Sequence, residues 1–355
     1  MRSLRCLLLL LIAGVLWGCA TTRPSPVPPG VILLWPPPPQ RARIEWLQEF
    51  HGPSELNIGK GFWKRLVEMV IGEEPTGIVR PYGIYGDGNG RVYVADTGGG
   101  FVHFYDLKEE TYLRLTGTLK EPLLSPIGIA GDGKGTVYIT DSASGTVFRH
   151  TEGGEFLEPF ITGQVTRPTG IVYSSRTSEL YVADTALHKI HVFDREGHSK
   201  FDIGGWGDGP GRFNCPTDLA LDSLGRLIVT DALNFRIQIF SPTGEFVGMF
   251  GASGDSAGAF NKPKGAAVDS DGNIYVVDAL QDAIQIFDPS GRLLMAFGSQ
   301  GGRPGEFWMP SGLFIDGNDT IYVADSYNRR IQMFRYHGEP RRPAASVAAP
   351  KPPDR

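Results

Sequence analysis

The chain has 355 residues, of which 41% are hydrophobic, and a formal net charge of −5 at pH 7. This acidic balance, with a pI of about 5.8, lacks the concentrated Lys and Arg that nucleic-acid phosphates require, so we expect no nucleic-acid partner.

Two of the three cysteines, Cys6 and Cys19, lie in the first twenty residues. Removal of Cys6 with a leader and acylation of Cys19 would leave Cys215 as a single thiol, without a partner for an intramolecular disulfide, and we interpret Cys215 as a packing residue.

The N-terminus has the layout of a secretory signal peptide. Arg2 and Arg5 form a basic start, residues 6–15 are apolar, and the small Gly18 precedes Cys19. A basic segment, a short apolar segment and a small residue before the cleavage site are the parts of such a signal. The apolar run is shorter than the roughly 20 residues of a membrane-spanning helix.

The end of this segment resembles the bacterial lipobox, in which cleavage makes a lipid-modified cysteine the new N-terminus. The resemblance implies that residues 1–18 are a lipoprotein signal peptide and that Cys19 carries the lipid. It also implies a membrane-anchored lipoprotein of the bacterial cell envelope, facing the periplasm or the exterior. Trp17 is bulkier than the residues usual at its position in that motif, so a plain signal peptide or a short anchor stays open.

Residues 19–42 are predicted to be a tether. Eight prolines between Pro24 and Pro39 favour a stiff, extended chain. The run Val-Ile-Leu-Leu-Trp at 31–35 is too apolar for a simple spacer. We expect it to dock, either on the domain that follows, which is the simpler interpretation, or on a partner.

From residue 43 onward the chain is predicted to form a closed ring of repeats. Each of six units begins with a proline, has Gly or Asp two residues later, and ends its second strand on an aspartate. The prolines are Pro81, Pro126, Pro168, Pro216, Pro263 and Pro310, and the aspartates are Asp96, Asp141, Asp184, Asp231, Asp278 and Asp325. The aspartates are 45, 43, 47, 47 and 47 residues apart, which is the period of a four-stranded propeller blade. With β-branched and aromatic strands and Asp-Gly turns between them, this predicts an all-β, six-bladed β-propeller over residues 43–336.

The sixth unit lacks a fourth strand, because its repeat stops near Phe334. Residues 43–52 contain an unassigned strand that ends in the same aromatic-x-Gly manner as the fourth strands. We therefore predict that the N-terminal strand completes the last blade and closes the ring, which leaves no edge between blades exposed.

The repeat unit resembles the NHL repeat. Residues 325–331, Asp-Ser-Tyr-Asn-Arg-Arg-Ile, match its motif closely, and residues 231–237 match it too. The resemblance implies a propeller scaffold, and scaffolds of this kind host unrelated activities. One related ring, the peptide-amidating lyase, holds zinc with histidines that follow the inner prolines. The residues at those positions here are Tyr82, Ile127, Thr169, Thr217, Lys264 and Ser311, so the zinc site does not carry over.

One insertion interrupts the repeat at residues 51–79. Within it, apolar residues follow a helical spacing, with Gly72 suited to the C-terminal end. They are Phe62, Trp63, Leu66, Val67 and Val70. We predict a short helix there, packed on its own ring or docking a partner helix or groove. The tail, residues 337–355, is rich in Pro and Ala and is predicted to be disordered.

Candidate binding residues gather on one face of the predicted ring, here called the upper face. It is formed by the loops that follow the recurrent aspartates and by the segments that precede the prolines. Its basic residues are Arg80, Arg167, Lys262 and Lys264, and its amide, aromatic and imidazole groups are Tyr82, His188, Asn234, Phe235, Tyr327 and Asn328. Such a mixture is typical of a binding surface.

Carboxylates offer the other chemistry. Five inner strands have Gly two residues after the proline, whereas the fourth has Asp218, either satisfied by backbone N–H groups or facing the channel. We interpret Asp231 with Arg236, Asp325 with Arg330 and Asp184 with Lys189 as pairs within blades.

The leading hypothesis is a lipid-anchored, extracytoplasmic binding or assembly module for a protein or other ligand on the upper face. It needs no catalytic residue, cofactor or metal. The alternative is a metal-dependent lyase or hydrolase with an axial site, built on Asp218.

Overall fold

The computed structural model of the chain describes residues 32–56, 58, 77–118, 120–151, 154 and 156–338. Four predicted features lie wholly or partly outside these residues: the signal peptide with Cys19, residues 19–31 of the tether, the helix at residues 62–71, and the tail beyond residue 338. In the described part, no helix is long and apolar enough to cross a membrane.

In the part of the chain that the structure describes, twenty-five strands build six blades. Two N-terminal strands come first: β1 (Leu34–Trp35) and β2 (Ile44–Phe50), followed by a single 3₁₀ turn at Pro53–Glu55. Blade 1 contains β3 (Pro81–Gly86), β4 (Arg91–Asp96), β5 (Phe101–Asp106) and β6 (Thr111–Leu115). Blade 2 contains β7 (Pro126–Gly131), β8 (Thr136–Asp141), β9 (Thr146–Thr151) and β10 (Glu158–Thr162). Blade 3 contains β11 (Pro168–Ser174), β12 (Glu179–Asp184), β13 (Lys189–Asp194) and β14 (Ser199–Gly204).

The second half repeats the pattern. Blade 4 contains β15 (Pro216–Leu221), β16 (Leu227–Asp231), a 3₁₀ turn (Ala232–Asn234), β17 (Arg236–Phe240) and β18 (Phe246–Phe250). Blade 5 contains β19 (Pro263–Val268), β20 (Ile274–Asp278), β21 (Ala283–Phe287) and β22 (Leu293–Phe297). Blade 6 contains β23 (Leu313–Ile315), β24 (Thr320–Asp325) and β25 (Arg330–Tyr336). Each inner strand contacts the next, and β23 contacts β3, so the predicted six-bladed ring is confirmed.

The N-terminal strand closes the ring as predicted. β2 pairs antiparallel with β25, with Ile44 opposite Tyr336 and Phe50 opposite Ile331. Ile44 and Phe50 are buried. The Glu49 carboxylate accepts a hydrogen bond from Arg330 Nη1 at 2.7 Å.

The apolar run that precedes this strand docks on its own ring, at least over residues 32–35. β1 pairs with the outer edge of β2 and makes blade 6 five-stranded. The Trp35 ring lies 5.7 Å from the Phe297 ring and 5.9 Å from the Phe334 ring, centroid to centroid. The simpler of the two docking interpretations, docking on the domain that follows, is confirmed for these residues.

The recurrent aspartates organise the upper loops. Asp96 is fully buried, and its carboxylate accepts hydrogen bonds from the N–H groups of Val79 and Arg80, before the inner strand, and of Gly98 and Gly99, after the second strand. The same carboxylate therefore fixes two loops of one blade. A buried carboxylate must find such partners because an unsatisfied charge inside a protein is costly.

Two of the three predicted ion pairs are confirmed, and one is wrong. Asp231 pairs with Arg236 at 2.8 Å, and Asp325 pairs with Arg330 at 2.7 Å. Lys189 does not pair with Asp184; its Nζ lies 3.1 Å from Asp202 on the neighbouring outer strand. The Asp184 carboxylate already accepts hydrogen bonds from backbone N–H groups and lies close to His191. Lys189 therefore pairs with Asp202, whose carboxylate is more exposed.

A ring of glycines lets the inner strands approach one another around the axis. The residues two positions after the six prolines are Gly83, Gly128, Gly170, Asp218, Gly265 and Gly312. A Cβ added at Gly83 would lie 2.1 Å from the Ile127 carbonyl oxygen, and one added at Gly312 would lie 1.8 Å from the Tyr82 carbonyl oxygen. Glycine is required where another backbone comes this close.

Candidate functional site at the upper mouth of the axial channel

The axis of the ring holds a cavity of about 270 Å³, lined by residues of all six inner strands. Its lining is mainly apolar, with Ile127, Ile171, Leu219 and Leu313 among its side chains. Tyr85 and Phe314, late in their inner strands, lie near the lower face, with ring centroids 5.4 Å apart. Because inner strands begin at the upper face, the residues just after the prolines surround its upper mouth.

Lys264 and Tyr82 meet at this mouth, although they belong to blades 5 and 1. The Lys264 ammonium lies 5.3 Å from the centroid of the Tyr82 ring and 3.3 Å from its hydroxyl. Both side chains are half-buried. An ammonium over an aromatic face is held by the ring quadrupole, so blades 5 and 1 are joined across the upper end of the channel.

Arg167, Cys215 and His188 stand on the opposite side of the mouth. Burial raises the pKa of the Cys215 thiol, while the charges of Arg167 and Lys264 act in the other direction. His188 Nδ1 accepts a hydrogen bond of 3.0 Å from the Cys215 backbone N–H, so the imidazole links blade 3 to blade 4. The thiol therefore lies near two basic side chains, and the packing role predicted for Cys215 stays a prediction.

Asp218 replaces one glycine of the ring and points along the channel wall. Its Oδ2 accepts a hydrogen bond of 2.9 Å from the Ala266 N–H in the next blade. Burial raises the pKa of its carboxyl to about 7, with the Ala266 and Leu219 N–H groups acting in the opposite direction. The residue is enclosed by the ring, yet part of its surface faces the cavity. Both sequence interpretations therefore hold at once: backbone donors satisfy one oxygen, and the side chain lines the channel.

The two predicted amides serve the loops. Asn234 Nδ2 donates to the Gly207 carbonyl at 2.9 Å and to Asp231 at 2.8 Å. Asn328 Nδ2 donates likewise to the Gly301 carbonyl at 2.7 Å and to Asp325 at 2.9 Å. Phe235 packs against the core between blades 4 and 5. We therefore centre the candidate site on the remaining upper-face residues.

An exposed aromatic group lies beside the mouth at blade 6. The Arg80 guanidinium is 5.9 Å from the centroid of the Tyr327 ring, which in turn lies 5.7 Å from the Trp308 ring. Other loops of the upper face expose further large apolar side chains, Leu187, Trp206, Leu233 and Leu280. Trp206 is 75% exposed. Arg167 and Lys262 are exposed between them, so basic and apolar groups alternate around this rim.

A left-handed residue in each upper loop was not predicted from the sequence. The residue four positions after each recurrent aspartate has a positive φ: Gly100, Gly145, His188, Phe235, Asp282 and Arg329. In two blades its side chain reaches the next blade, since His188 contacts Cys215 N–H and Asp282 Oδ1 accepts from Met309 N–H at 2.7 Å. The glycines in the first two copies were the available signal.

Histidine and carboxylate groups are scattered. His103 contacts Asp96 at 3.1 Å and Tyr112 at 2.9 Å within blade 1, and His191 contacts Asp202 within blade 3. Across residues 32–56 and 77–338, apart from the gaps named above, no group of three or more His, Cys, Asp or Glu side chains could hold a metal ion. A protein zinc site takes three or four such ligands, and Asp218 supplies one.

Family comparisons cover parts of the ring. Residues 267–341 match a family model described as a 6-bladed beta-propeller, and residues 213–240 match the NHL repeat. A curated relative, Protein brain tumor of Drosophila melanogaster, is 35% identical over 72 residues. That match spans 20% of this chain and only 7% of the Drosophila protein.

Solved structures match most of the ring. A protein of unknown function from Bacteroides thetaiotaomicron superposes with a TM-score of 0.60 at 17% identity, over 74% of this chain and 71% of its own. An auxiliary nutrient binding protein from the same organism gives 0.58 at 15% identity, over 74% and 71%. Virginiamycin B lyase from Staphylococcus aureus gives 0.56 at 17% identity, over 82% and 99%. At these identities the likeness shows the fold alone: the chain is a six-bladed β-propeller that contains an NHL repeat.

Proposed function

We propose that this protein is a binding module of the bacterial cell envelope, anchored by a lipid on Cys19, whose upper face binds a protein partner. The basic and aromatic groups around the channel mouth, some exposed and some half-buried, carry the proposal. Arg80 beside Tyr327 and Lys264 over Tyr82 are its two best-defined elements. Aromatic and Arg side chains are enriched at the energetic centres of protein interfaces.

The charge distribution supports an acidic partner segment that also carries apolar residues. The whole chain is acidic at −5, and loss of Arg2 and Arg5 with a leader would take it to −7. The mouth nevertheless gathers Arg80, Arg167 and Lys264. Complementary charge speeds association and fixes register, while Trp206, Trp308 and Tyr327 offer apolar area. The similar fold of the auxiliary nutrient binding protein supports a binding role in general.

Reversing two charges of the mouth should weaken partner binding at least about tenfold, because attraction becomes repulsion at the rim. The variant is Arg167→Glu with Lys264→Glu, and its partner is isolated by affinity capture from solubilised envelope. The matched control, Lys108→Glu with Lys134→Glu, reverses two exposed lysines on the opposite face. Reversal at the exposed Arg167 and at the two control lysines should alter stability by only about 0.5 kcal/mol, and loss of the Lys264–Tyr82 contact costs about 0.5–2 kcal/mol more. Thermal melting checks that both variants stay folded. Binding lost in the control and kept in the mouth variant would contradict the proposed face.

The location is testable separately. Cys19→Ser should abolish metabolic labelling by fatty acid and leave an unprocessed precursor, because acylation needs the thiol. A variant that is still labelled and processed like the wild type would contradict lipidation at Cys19. A single acyl chain gives only marginal membrane binding, so firm retention of the wild type in the membrane fraction implies more than one chain.

A further inference from the structure

One position of the glycine ring carries a side chain. At Gly170 in the preceding blade, an added Cβ would lie 2.5 Å from the Asp218 Cα, and at Gly265 in the following blade an added Cβ would lie 2.6 Å from Leu313 N. Asp218 stands between these two close approaches and sends its carboxyl into the cavity wall. Glycine at the other five positions permits the close approach of the inner strands. Asp218, at the remaining position, instead adds a carboxyl group to the channel.

Polar groups near Asp218 lack partners within the ring. The Thr217 hydroxyl, in the next residue of the lining, is buried and has no hydrogen-bond partner among the described residues. Thr230 lies opposite Asp218 in the neighbouring strand, and its hydroxyl is buried and unpaired in the same sense. Neither hydroxyl therefore donates to the Asp218 carboxylate, so a donor group of a ligand in the cavity would meet this carboxylate without a competing hydroxyl.

The charge and the shape of the cavity limit the class of ligand that can bind there. Asp218 is the acid among the residues that line the cavity, and Lys264 of β19 lies over the Tyr82 ring at the mouth. An ammonium group has three N–H donors and no acceptor, which complements a carboxylate. The remaining lining is aliphatic and aromatic. The cavity volume of about 270 Å³ is just below the usual range for small-molecule pockets.

We propose that the axial channel binds a small primary amine with an apolar body, its ammonium group on the Asp218 carboxylate. The apolar body would lie along Ile171, Leu219 and Leu313. This site goes beyond the proposed partner surface and does not depend on it, because its residues lie inside the ring and not on the rim.

Proton linkage supports the choice of a cation. Burial raises the pKa of the Asp218 carboxyl to about 7, so the carboxyl gains its charge between about pH 6 and 8. Lys264 on β19, Tyr82 on β3, Cys215 before β15 and Arg167 before β11 are the titratable or charged groups toward the mouth. An alkylamine stays protonated throughout this range, like a lysine side chain. Binding should therefore strengthen as the pH rises from 5 to 8.

The test is isothermal titration of the full chain with 2-phenylethylamine, n-butylamine and 3-phenylpropylamine. The neutral isostere 2-phenylethanol and the anion 3-phenylpropionate serve as ligand controls. We expect at least one amine to bind with a Kd below about 1 mM, and Asp218→Asn to weaken it at least about tenfold. Asp208→Asn, an exposed carboxylate of a return loop, should leave binding unchanged.

Each other outcome overturns the proposal: no amine binds below about 5 mM, the alcohol or the acid binds as tightly as the amine, or Asp218→Asn binds like the wild type. If Asp218→Asn melts early, Asp218→Gly restores the residue found in the other five blades and replaces it in the same assay. Amine binding that survives the Arg167→Glu and Lys264→Glu changes would separate this site from the partner surface.

Discussion

A chain lacking residues 43–50 is expected to lose its cooperative thermal unfolding transition. The deletion removes β2, the fourth strand of blade 6, and with it the buried side chains of Ile44 and Phe50. Each such side chain contributes about 1.5–3 kcal/mol by burial, and the deletion also exposes the edge of β25 and takes Glu49 from Arg330. Against a total stability of about 5–15 kcal/mol, these losses open the ring. Circular dichroism during heating measures the transition.

Complementation in trans provides the control for this deletion. A synthetic peptide of residues 41–52 should restore the transition, because an extended segment can pair with an open strand edge. The same peptide with Ile44→Asp and Phe50→Asp should fail, since both positions are buried. A deleted chain that melts cooperatively at the wild-type temperature would show that the ring does not need β2.

Gly312→Ala is expected to destabilise the ring by about 3 kcal/mol or more. Its Cβ would lie 1.8 Å from the Tyr82 carbonyl oxygen and 3.3 Å from the Gly83 Cα, and these are backbone atoms that no rotamer change can move. Overpacking typically costs about 1–3 kcal/mol even where side chains can adjust. The midpoint of thermal unfolding should fall by about 6 °C or more.

Gly317→Ala is the matched control, five residues further along the same blade. An added Cβ there would meet nothing within 4 Å, so a change within about 0.5 kcal/mol is expected. Equal stability of the Gly312 and Gly317 variants would mean that the inner strands can separate without cost. The glycine ring would then not be the structural core of the fold.

The architecture could be predicted because each blade repeats local chemistry. The spacing of the recurrent aspartates, the turn aspartates such as Asp87, whose Oδ1 accepts from Asn89 and Arg91 N–H, and the missing strand after Phe334 were all legible in the sequence. Local hydrogen bonds need only neighbouring residues, so a repeat reveals them. The closing strand followed by counting strands, because a propeller ring leaves no blade incomplete.

The site was only partly predictable because it is built between blades. Lys264 and Tyr82 are 182 positions apart, and no local pattern records their contact. The pairing of Lys189 with Asp202 depends on the outer strand, which carries Asp202, and on the hydrogen bonds that Asp184 already accepts. Asn234 and Asn328 were predicted to be binding residues because of their residue type, yet their amides hold return loops. Composition indicated the upper face as the candidate, whereas contacts decide which of its side chains are available.

Site-specific photo-cross-linking tests most directly whether the upper face binds the partner. A benzoylphenylalanine at Leu233, which is 56% exposed in an upper loop of blade 4, is compared with one at Leu224, which is 62% exposed in a lower turn of the same blade. In intact cells of the native host, the probe at Leu233 should give one discrete adduct, which the Arg167→Glu and Lys264→Glu changes remove, while Leu224 gives none. An adduct at Leu224 with none at Leu233 would contradict the assignment of function to the upper face.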